Sequence, residues 1–295
     1  MNIYLINLDR SPERLARMAT IFGGLGLDFI RIPAVDGAKL IAEGKLRQPE
    51  RAGLIYQLGP GETGCFLSHR ACWEAIASAE QDHAAVFEDD VHFGSGLAAL
   101  LSNDAWIPGD ADVVKLETTR VHTLIERKHL PVPAGRSLKR LRAAHTGTSG
   151  YIISKAAARK LFDLSKDFAD PVDQFMFNPA CTGWAHLTTY QLAPAICIQD
   201  MFFEAGGVAG RIASTLDNER PELKSSKKKM NKPLRELIRP LQKAWWFVDL
   251  ADARPAASAG AVRLGPAPIR SLNRHQPVVL DLADGQRRAH GVDIG

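Results

Sequence analysis

Three consecutive carboxylates, Glu88, Asp89 and Asp90, follow an apolar run at 84–87 that is typical of a buried strand. On a strand, Glu88 and Asp90 point to one face and Asp89 points to the other. Two carboxylates on one face, at the carboxyl edge of a parallel sheet, suit Mg²⁺ or Mn²⁺, which also bind substrate phosphates. The segment is therefore a candidate metal and diphosphate site. A solvated acidic turn is the alternative that the spacing leaves open.

A second polar loop runs from Asn7 to Arg14, after the apolar start of the chain. Ser11 and Pro12 are typical of a helix start, because serine caps free N–H groups and proline fits the first turn. Such a helix start binds anions, so Arg14 is predicted to pair with a phosphate and Asp9 to accept from a ribose or base. A helix cap with a surface ion pair is the alternative. The loop has no glycine-rich dinucleotide fingerprint, which argues against NAD.

The elements that must position these loops alternate between strand and helix patterns. Apolar runs predict strands, and apolar residues at helical spacing predict helices. The alternation predicts an α/β fold with a mainly parallel sheet and helices on both faces. A polar, basic stretch at 120–142 is predicted to be a long loop. The predicted strands lie at 3–8, 29–32, 84–87, 112–116, 151–153 and within 187–199, and the predicted helices begin near Ser11, Glu62, Ser154 and Pro171.

The composition argues against two classes of protein. The net charge is only +4, and the surplus of lysine and arginine is concentrated between residues 220 and 243. The first 215 residues lack a basic stripe with stacking aromatics, so nucleic-acid binding is not expected. None of the four cysteines forms a C-x-x-C pair, so a zinc site is not expected, and buried thiols in a reducing compartment are the simplest reading.

Six segments, in this order and spacing, resemble glycosyltransferase family 25. Each segment alone is weakly specific, but together they cover roughly residues 1–215, and the tail lies outside the resemblance. The segments are Tyr4 to Arg10 with Arg14-Leu15 behind it, Ala34-Val35-Asp36-Gly37, Gly61 to His69 with Trp73 following, Phe87 to Val91, Gly147 to Ile153, and Pro171-Val172-Asp173-Gln174.

The resemblance implies a type A glycosyltransferase fold, a UDP-sugar donor, a divalent metal and inversion at the anomeric carbon. It implies Asp90 and Glu88 as metal ligands. An inverting transfer needs a general base, and Asp173 is the candidate because it follows Pro171 at a helix start, with a plain helix-cap carboxylate as the alternative. Because this sequence has Glu-Asp-Asp rather than Asp-x-Asp, it stays open whether Glu88 binds the metal directly or through water. The predicted contacts to the nucleotide-sugar are Asn7, Asp9, Arg14, Asp36, Ser68, Glu88 and Asp89.

Several further residues have two readings. His69 is either a second base or a structural histidine among apolar neighbours. Gln199, at the end of a late strand, is a candidate to complete the metal shell. Gly150 and Tyr151 either shape the acceptor site or pack in a strand. A set of basic residues is either an anionic-acceptor surface or a solvated loop: Arg120, Arg136, Lys139, Arg140 and Arg142.

Three regions follow from the change of pattern after residue 217: a catalytic domain at 1–217, a basic amphipathic and aromatic segment at 218–250, and a disordered tail at 251–295. The middle segment ends in Trp245-Trp246-Phe247, which favours binding to an anionic membrane surface, with packing on the parent domain as the alternative. No segment has 18 uncharged apolar residues, so no transmembrane helix is expected. The expected location is the cytoplasm, and the basic segment is what favours peripheral attachment to the inner face of the cytoplasmic membrane.

The sequence thus predicts an enzyme that transfers a hexose, first of all galactose, from a UDP-sugar to a lipooligosaccharide, lipopolysaccharide or other glycan acceptor. Two alternatives stay open. One is a catalytically silent protein that binds a sugar or nucleotide at the membrane surface. The other is a sugar nucleotidyltransferase, which would release diphosphate where a glycosyltransferase would release UDP.

Overall fold

The computed structural model describes residues 1–203, and its first three elements form the predicted strand–helix–strand unit. Strand β1 (Asn2–Asn7) leads into helix α1 (Pro12–Gly24), and β2 (Ile30–Pro33) returns parallel to β1. Pro12 begins α1 as predicted. The Ser11 side chain makes no capping hydrogen bond, so the predicted serine cap is wrong.

The rest of the described chain follows the predicted alternation, with additions. The predictions missed two short helices and several short strands, because elements of two to six residues carry little periodicity. The helices are α2 (Gly37–Ala42), α3 (Pro60–Ser78), α4 (Leu97–Leu101), α5 (Lys155–Leu164) and α6 (Val172–Phe177). The strands are β3 (His83–Glu88), β4 (Val91–Phe93), β5 (Val113–Lys115), β6 (Glu117–Thr118), β7 (Leu130–Val132), β8 (Arg136–Arg140), β9 (Gly150–Ser154), β10 (Thr189–Ala193) and β11 (Cys197–Gln199).

Within residues 1–203, eight strands form one large sheet in the order β2-β1-β3-β9-β5-β10-β8-β7. Six of these strands run in one direction, and only β9 and β8 run against them, because both pair antiparallel with their neighbours. Three further strands form a small second sheet in the order β4-β11-β6. The predicted mainly parallel α/β class is confirmed.

Helices cover both faces of the large sheet, as predicted. Alternate residues of β1 enter two separate cores: Leu5 packs with Met18 and Phe22 of α1, whereas Tyr4 packs with the α3 side chains that include Trp73. Helix α4 joins the first core, and α5 and α6 join the second. This two-sided burial holds the strand ends, and the loops that follow them, at fixed positions.

The predicted long loop at 120–142 is wrong, because this stretch contains the antiparallel pair β7–β8. Its turn uses left-handed backbone at Ala134 (φ 59°) and Gly135 (φ 67°). Strand β8 is polar and basic, and the edge strand β7 has only three residues with Pro131 at its centre, so neither strand has an apolar run that would reveal it.

The segments predicted at 218–250 and 251–295 lie outside the described residues, as does the proposed boundary at residue 217. Across residues 1–203, none of the helices combines the length and the apolar character needed to cross a bilayer.

Candidate active site

The cleft that holds most of the candidate residues lies where β1 and β3 end side by side. The two strands pair in parallel with Ile6 opposite Glu88, so the loops that follow them meet at one edge of the sheet. The cleft has a volume of about 280 Å³. Its polar lining includes Asn7, Arg10, Arg14, Asp36, Ser68, His69, Glu88, Asp89, Asp90 and Gln199.

Asp89 points away from its two acidic neighbours and binds the first loop. Its carboxylate accepts hydrogen bonds from Asn7 Nδ2 at 2.6 Å and Arg14 Nη1 at 3.0 Å. Burial raises the pKa of Asp89, while the hydrogen bond from Asn7 and the charge of Arg14 act in the opposite direction. Three predicted nucleotide contacts are therefore bound to one another, and together they fasten the start of α1 to the end of β3.

Asp90 has the strongest features of a cation ligand. Its side chain is buried, and Oδ2 accepts a hydrogen bond from Gln199 Nε2 at 3.0 Å, whereas Oδ1 has no hydrogen-bond partner among residues 1–203. Burial raises the pKa of Asp90 to about 8, and the charges of Glu88 and Asp89 add to the shift. A buried carboxylate oxygen without a donor is unfavourable unless a cation or a proton satisfies it, so this position fits a hard divalent ion.

Glu88 lies beside Asp90 and reaches the same glutamine, although β3 ends at Glu88 and Asp90 lies in the turn before β4. Its Oε2 is 3.5 Å from Gln199 Nε2. Its Oε1 accepts hydrogen bonds from His69 Nε2 at 3.2 Å and Thr148 Oγ1 at 3.3 Å. Gln199 Nε2 therefore contacts both predicted ligands, and the membership of Gln199 in a metal shell stays a prediction, because a cation would need the amide oxygen at this position.

The contacts of His69 fix which of its ring nitrogens carries a proton. Trp73 Nε1, which can only donate, bonds to the hydroxyl oxygen of Tyr151 at 3.0 Å, and that hydroxyl lies 3.0 Å from His69 Nδ1. The hydroxyl proton is therefore directed to Nδ1, and Nε2–H donates to Glu88. The role of His69 as a base stays a prediction, because these contacts assign the ring tautomer from the hydrogen-bond network alone.

Cys65, His69 and Glu88 place possible ligand atoms within 4.8 Å of one another. With Nε2–H assigned as a donor to Glu88, His69 would have to move its proton to Nδ1 before it could ligate a metal ion. Burial raises the pKa of the Cys65 thiol well above its usual value, and the charges of Glu88 and Asp173 raise it further, which disfavours the thiolate. A cation at Glu88 is therefore expected on the side of Asp90.

Asp173 lies in the first turn of α6, as predicted. Its carboxylate accepts hydrogen bonds from the backbone N–H of Gly147 at 3.1 Å, the backbone N–H of Gln174 at 2.8 Å and Gln174 Nε2 at 3.2 Å. Three donors fix its orientation. Asp173 is half-buried and close enough to Cys65, which lines the cleft, to affect the pKa of that thiol.

The remaining predicted nucleotide contacts fall in different places. The side chain of Asp9 is 82% exposed and pairs with Arg31 at 2.6 Å. Neither residue lines the cleft, so the predicted contact of Asp9 with the nucleotide is not supported. Asp36 lines the cleft, caps α2 through the Lys39 N–H at 3.2 Å and pairs with Arg10 at 2.8 Å.

Ser68 also lines the cleft, but its hydroxyl is engaged inside the protein. It donates to the carbonyl of Gly64 at 2.7 Å and accepts from the N–H of Val35 at 2.9 Å. The backbones of α2 and α3 approach closely here, since a Cβ on Gly37 would lie 2.0 Å from the Pro60 carbonyl oxygen. This wall of the cleft is built from peptide groups.

The predicted acceptor residues are more buried than expected. Tyr151 is fully buried, and a Cβ at Gly150 would lie 2.4 Å from Cys197 Sγ, so both residues serve packing and their predicted acceptor role is wrong. Among the basic residues, Arg136 is buried and donates to the Ser95 carbonyl at 2.8 Å. Arg140 pairs with Asp110 at 3.7 Å, Arg142 pairs with Glu126, and Arg120 and Lys139 also have partners.

A family model described as glycosyltransferase family 25 (LPS biosynthesis protein) matches residues 1–176, more than half of the chain. The chain belongs to glycosyltransferase family 25. Its membership confirms the resemblance that the six sequence segments carry.

Similar proteins include other enzymes of this class. The lacto-N-neotetraose biosynthesis glycosyltransferase LgtB of Neisseria gonorrhoeae is 32% identical over 213 residues, which cover 69% of this chain and 76% of LgtB. The lipooligosaccharide biosynthesis protein lex-1 of Haemophilus influenzae is 29% identical over 205 residues, which cover 64% and 67% of the two chains. Among solved structures, an active-site mutant of LgtC matches with 12% identity and a TM-score of 0.33, covering 80% of this chain and 99% of that chain. The protein is a glycosyltransferase.

One buried ion pair of this family 25 glycosyltransferase was missed from the sequence. Lys115 and Glu117 have no exposed surface, and Lys115 Nζ lies 2.8 Å from Glu117 Oε1. The sequence signal was weak, because Lys115 ends β5 and Glu117 begins β6, which belongs to the other sheet. Buried charges at such positions need a reason, since their removal from water is costly.

Proposed function

We propose that this glycosyltransferase transfers a hexose, first of all galactose, from a UDP-sugar to a lipooligosaccharide or related glycan, with inversion at the anomeric carbon. The observation that carries the proposal is the buried Oδ1 atom of Asp90, which has no hydrogen-bond partner in residues 1–203 and lies beside Glu88 in the cleft. The proposed acceptor class follows the relatives LgtB, a lacto-N-neotetraose biosynthesis glycosyltransferase, and lex-1, a lipooligosaccharide biosynthesis protein.

Asp90 and Glu88 would hold Mn²⁺ or Mg²⁺, with Gln199 completing the protein ligands through its amide oxygen. The amide nitrogen and oxygen of a glutamine are assigned from the surrounding contacts, and a bound cation favours the oxygen. When bound, the cation supplies Lewis-acid stabilisation to the departing diphosphate.

The chain's own residues bind and orient the donor. Arg10 lines the cleft with a side chain that is 53% exposed, so it is free to turn from Asp36 toward a phosphate. The Asn7–Arg14–Asp89 cluster is already bound together, so it holds the wall of the cleft rigid while the donor enters.

Asp173 is proposed as the general base. An inverting transfer needs a group that accepts the proton of the attacking acceptor hydroxyl, and a carboxylate held in a fixed orientation near the cleft can do so. Three donors hold the Asp173 carboxylate in one orientation, as positioned base catalysis requires.

The deciding experiment measures UDP release from a panel of UDP-sugars with Mn²⁺ and a lipooligosaccharide extract. We expect activity with UDP-galactose that a chelator abolishes. Asp90→Asn should lose both activity and the rise in melting temperature caused by Mn²⁺. Asp173→Asn should keep that rise and lower kcat by about 10²–10⁴.

Asp163→Asn is the matched control, because it makes the same chemical change on the exposed side of α5 and should leave activity intact. Release of diphosphate from a nucleoside triphosphate would instead support the nucleotidyltransferase alternative. Donor binding without turnover under every condition would support the silent binding protein.

Attachment to the inner face of the cytoplasmic membrane is part of the proposal and rests on the sequence of 218–250 alone. Vesicles containing anionic lipid should sediment the full chain and not a chain that ends before residue 218. Equal sedimentation of both would remove the membrane from the proposal.

A further inference from the structure

The Lys115–Glu117 pair makes its hydrogen bonds with one short loop, formed by Gly147, Thr148 and Ser149 and named here loop 147–149. Lys115 Nζ donates to the Gly147 carbonyl, and Ser149 Oγ donates to Glu117 Oε2. Gly147 has a φ of +87°, and a Cβ there would lie 2.7 Å from Glu117 Oε2, so the position requires glycine. The ion pair therefore fixes both ends of the loop.

Loop 147–149 in turn contacts two carboxylates of the proposed site, Asp173 and Glu88. The N–H of Gly147 donates to Asp173 Oδ2 at 3.1 Å, and Thr148 Oγ1 donates to Glu88 Oε1 at 3.3 Å. The backbone N–H of Glu88 donates to the Ser149 carbonyl at 3.0 Å. A displacement of this loop would move the proposed base and a proposed metal ligand together.

The pair also reaches helix α6 directly. Lys115 Nζ lies 4.5 Å from the centroid of the Phe177 ring. Phe177 is the last residue of α6, and Asp173 lies in the first turn of the same helix. The backbone N–H of His145 donates to the Phe177 carbonyl at 3.1 Å, just before loop 147–149. Both ends of α6 are thus tied to the segment that the ion pair holds.

We propose that Lys115 and Glu117 are positioning residues, whose buried ion pair holds loop 147–149 so that Asp173 and Glu88 keep their working geometry. Neither residue touches the cleft, so neither is a catalytic residue. A fully buried ion pair is a poor device for stability, because apolar replacement of such pairs is often neutral or stabilising. The presence of the ion pair is better explained by its contacts with loop 147–149. The inference rests on the proposed function, since that function gives Asp173 its role.

The test replaces both charges at once, with Lys115→Met and Glu117→Gln in one variant, so that no unpaired charge stays buried. We expect a folded protein with kcat lowered on the order of a hundredfold, because a misplacement of about 1 Å at the reacting groups has that effect. In an Asp173→Asn background the same double change should lower kcat by less than about threefold, since residues that act through one another are not additive. An equal loss in both backgrounds, or a folded double variant with wild-type kcat, would overturn the proposal.

Ser149→Ala is the second variant, and it decides the matter if the double variant does not fold. It removes one hydrogen bond to Glu117 and should lower kcat on the order of tenfold with little change in melting temperature. Unchanged kcat in Ser149→Ala would count against the proposal. The control variant carries Lys160→Met and Asp112→Asn. These two residues form an ion pair of 3.6 Å, and Asp112 directly precedes β5, at the end of that strand opposite to Lys115. The control should leave kcat unchanged.

Hydrogen exchange, measured without any substrate, separates this inference from the proposed function. The Gly147 amide, which donates to Asp173, should exchange faster in the double variant than in the wild type and the control. If the wild type turns over no UDP-sugar, the proposed function fails while this measurement still tests the link. If the wild type is active and exchange at Gly147 is unchanged in the double variant, the inference alone fails.

Discussion

His69 Nε2 lies 3.2 Å from Glu88 Oε1, and this contact connects the middle of α3 to the end of β3. Behind the histidine, the Tyr151 hydroxyl bonds to both His69 and Trp73. All three side chains are fully buried, so the orientation of the Glu88 carboxylate is set from inside the core. The histidine acts on the site by donating one hydrogen bond.

Tyr151→Phe removes only the hydroxyl of this chain. We expect the free energy of unfolding to fall by about 1–3 kcal/mol, because the buried Trp73 N–H loses its acceptor. Mn²⁺ affinity should also fall, since His69 loses the partner that fixes its protonated nitrogen. Urea unfolding and calorimetric Mn²⁺ titration measure the two effects.

Tyr190→Phe is the control for that variant, because the Tyr190 hydroxyl bonds to Asp110 at the surface, at 3.0 Å. It should change both quantities little. Equal losses of stability in the two variants would contradict the hydrogen-bond chain described for Tyr151.

Arg14→Met should strongly destabilise the fold. Arg14 and Asp89 pair at 3.0 Å with side chains that are each only 9% exposed, so the change leaves a buried carboxylate short of a partner. Loss of one member of a buried pair costs about 3–5 kcal/mol. Arg10→Met breaks the more exposed pair with Asp36 and should cost less than about 1 kcal/mol. Chemical denaturation of both variants gives the comparison, and similar costs would argue against a structural role for Asp89.

Gly37→Ala should disturb the cleft wall. The new Cβ would lie 2.0 Å from the Pro60 carbonyl oxygen and 2.8 Å from the Gly64 nitrogen, both of them backbone atoms that cannot rotate away. We expect a loss of about 1–3 kcal/mol from overpacking, together with weaker donor binding.

Gly23→Ala is its control, because a Cβ at this position in α1 meets no atom within 4 Å. Alanine there should stabilise the protein by about 0.5–1 kcal/mol. Thermal unfolding should therefore shift in opposite directions for the two variants, and a stable Gly37→Ala protein would show that the two helices can separate.

His145 should make the protein sensitive to acid. Burial lowers the pKa of His145 to about 3, and the charge of Lys115 adds to the effect. Below its ordinary pKa of about 6.5, the unfolded chain takes up a proton that the folded chain does not, so stability falls as pH decreases. Between about pH 7 and pH 5 this group alone should remove about 2 kcal/mol.

His145→Gln should abolish that part of the pH dependence, as measured by urea unfolding at several pH values. The exposed His129, changed to Gln, should leave the pH dependence as it is in the wild type. Identical pH profiles for the wild type and His145→Gln would show that the buried imidazole does not stay neutral.

Much of the fold was predictable because its elements have a single strong period. The apolar runs of β1, β3 and β9 and the helical stripe of α3 bury the residues that the pattern indicates. Strand alternation predicted that Asp89 is separated from Glu88 and Asp90, although the structure achieves this through a turn at Asp89-Asp90 after β3. Local periodicity is therefore sufficient to find the edge of the sheet at which the candidate site lies.

The parts that failed depend on partners far away in sequence. The β7–β8 pair is polar on an edge, and the direction of β9 is set by its neighbours β3 and β5. The role of His69 follows from Tyr151, which is 82 residues away. Asp9 pairs with Arg31 of β2 outside the cleft, and this ion pair could not be predicted from the spacing of the residues in the sequence.

Glu88 ends a strand of the large sheet, whereas Asp90 precedes β4 and Gln199 ends β11, both in the small sheet. An ion held by these side chains would cross-link the two sheets. Occupancy should then slow local opening at 88–93 and 197–203, and resistance to a protease at these segments would report loading before any sugar is transferred.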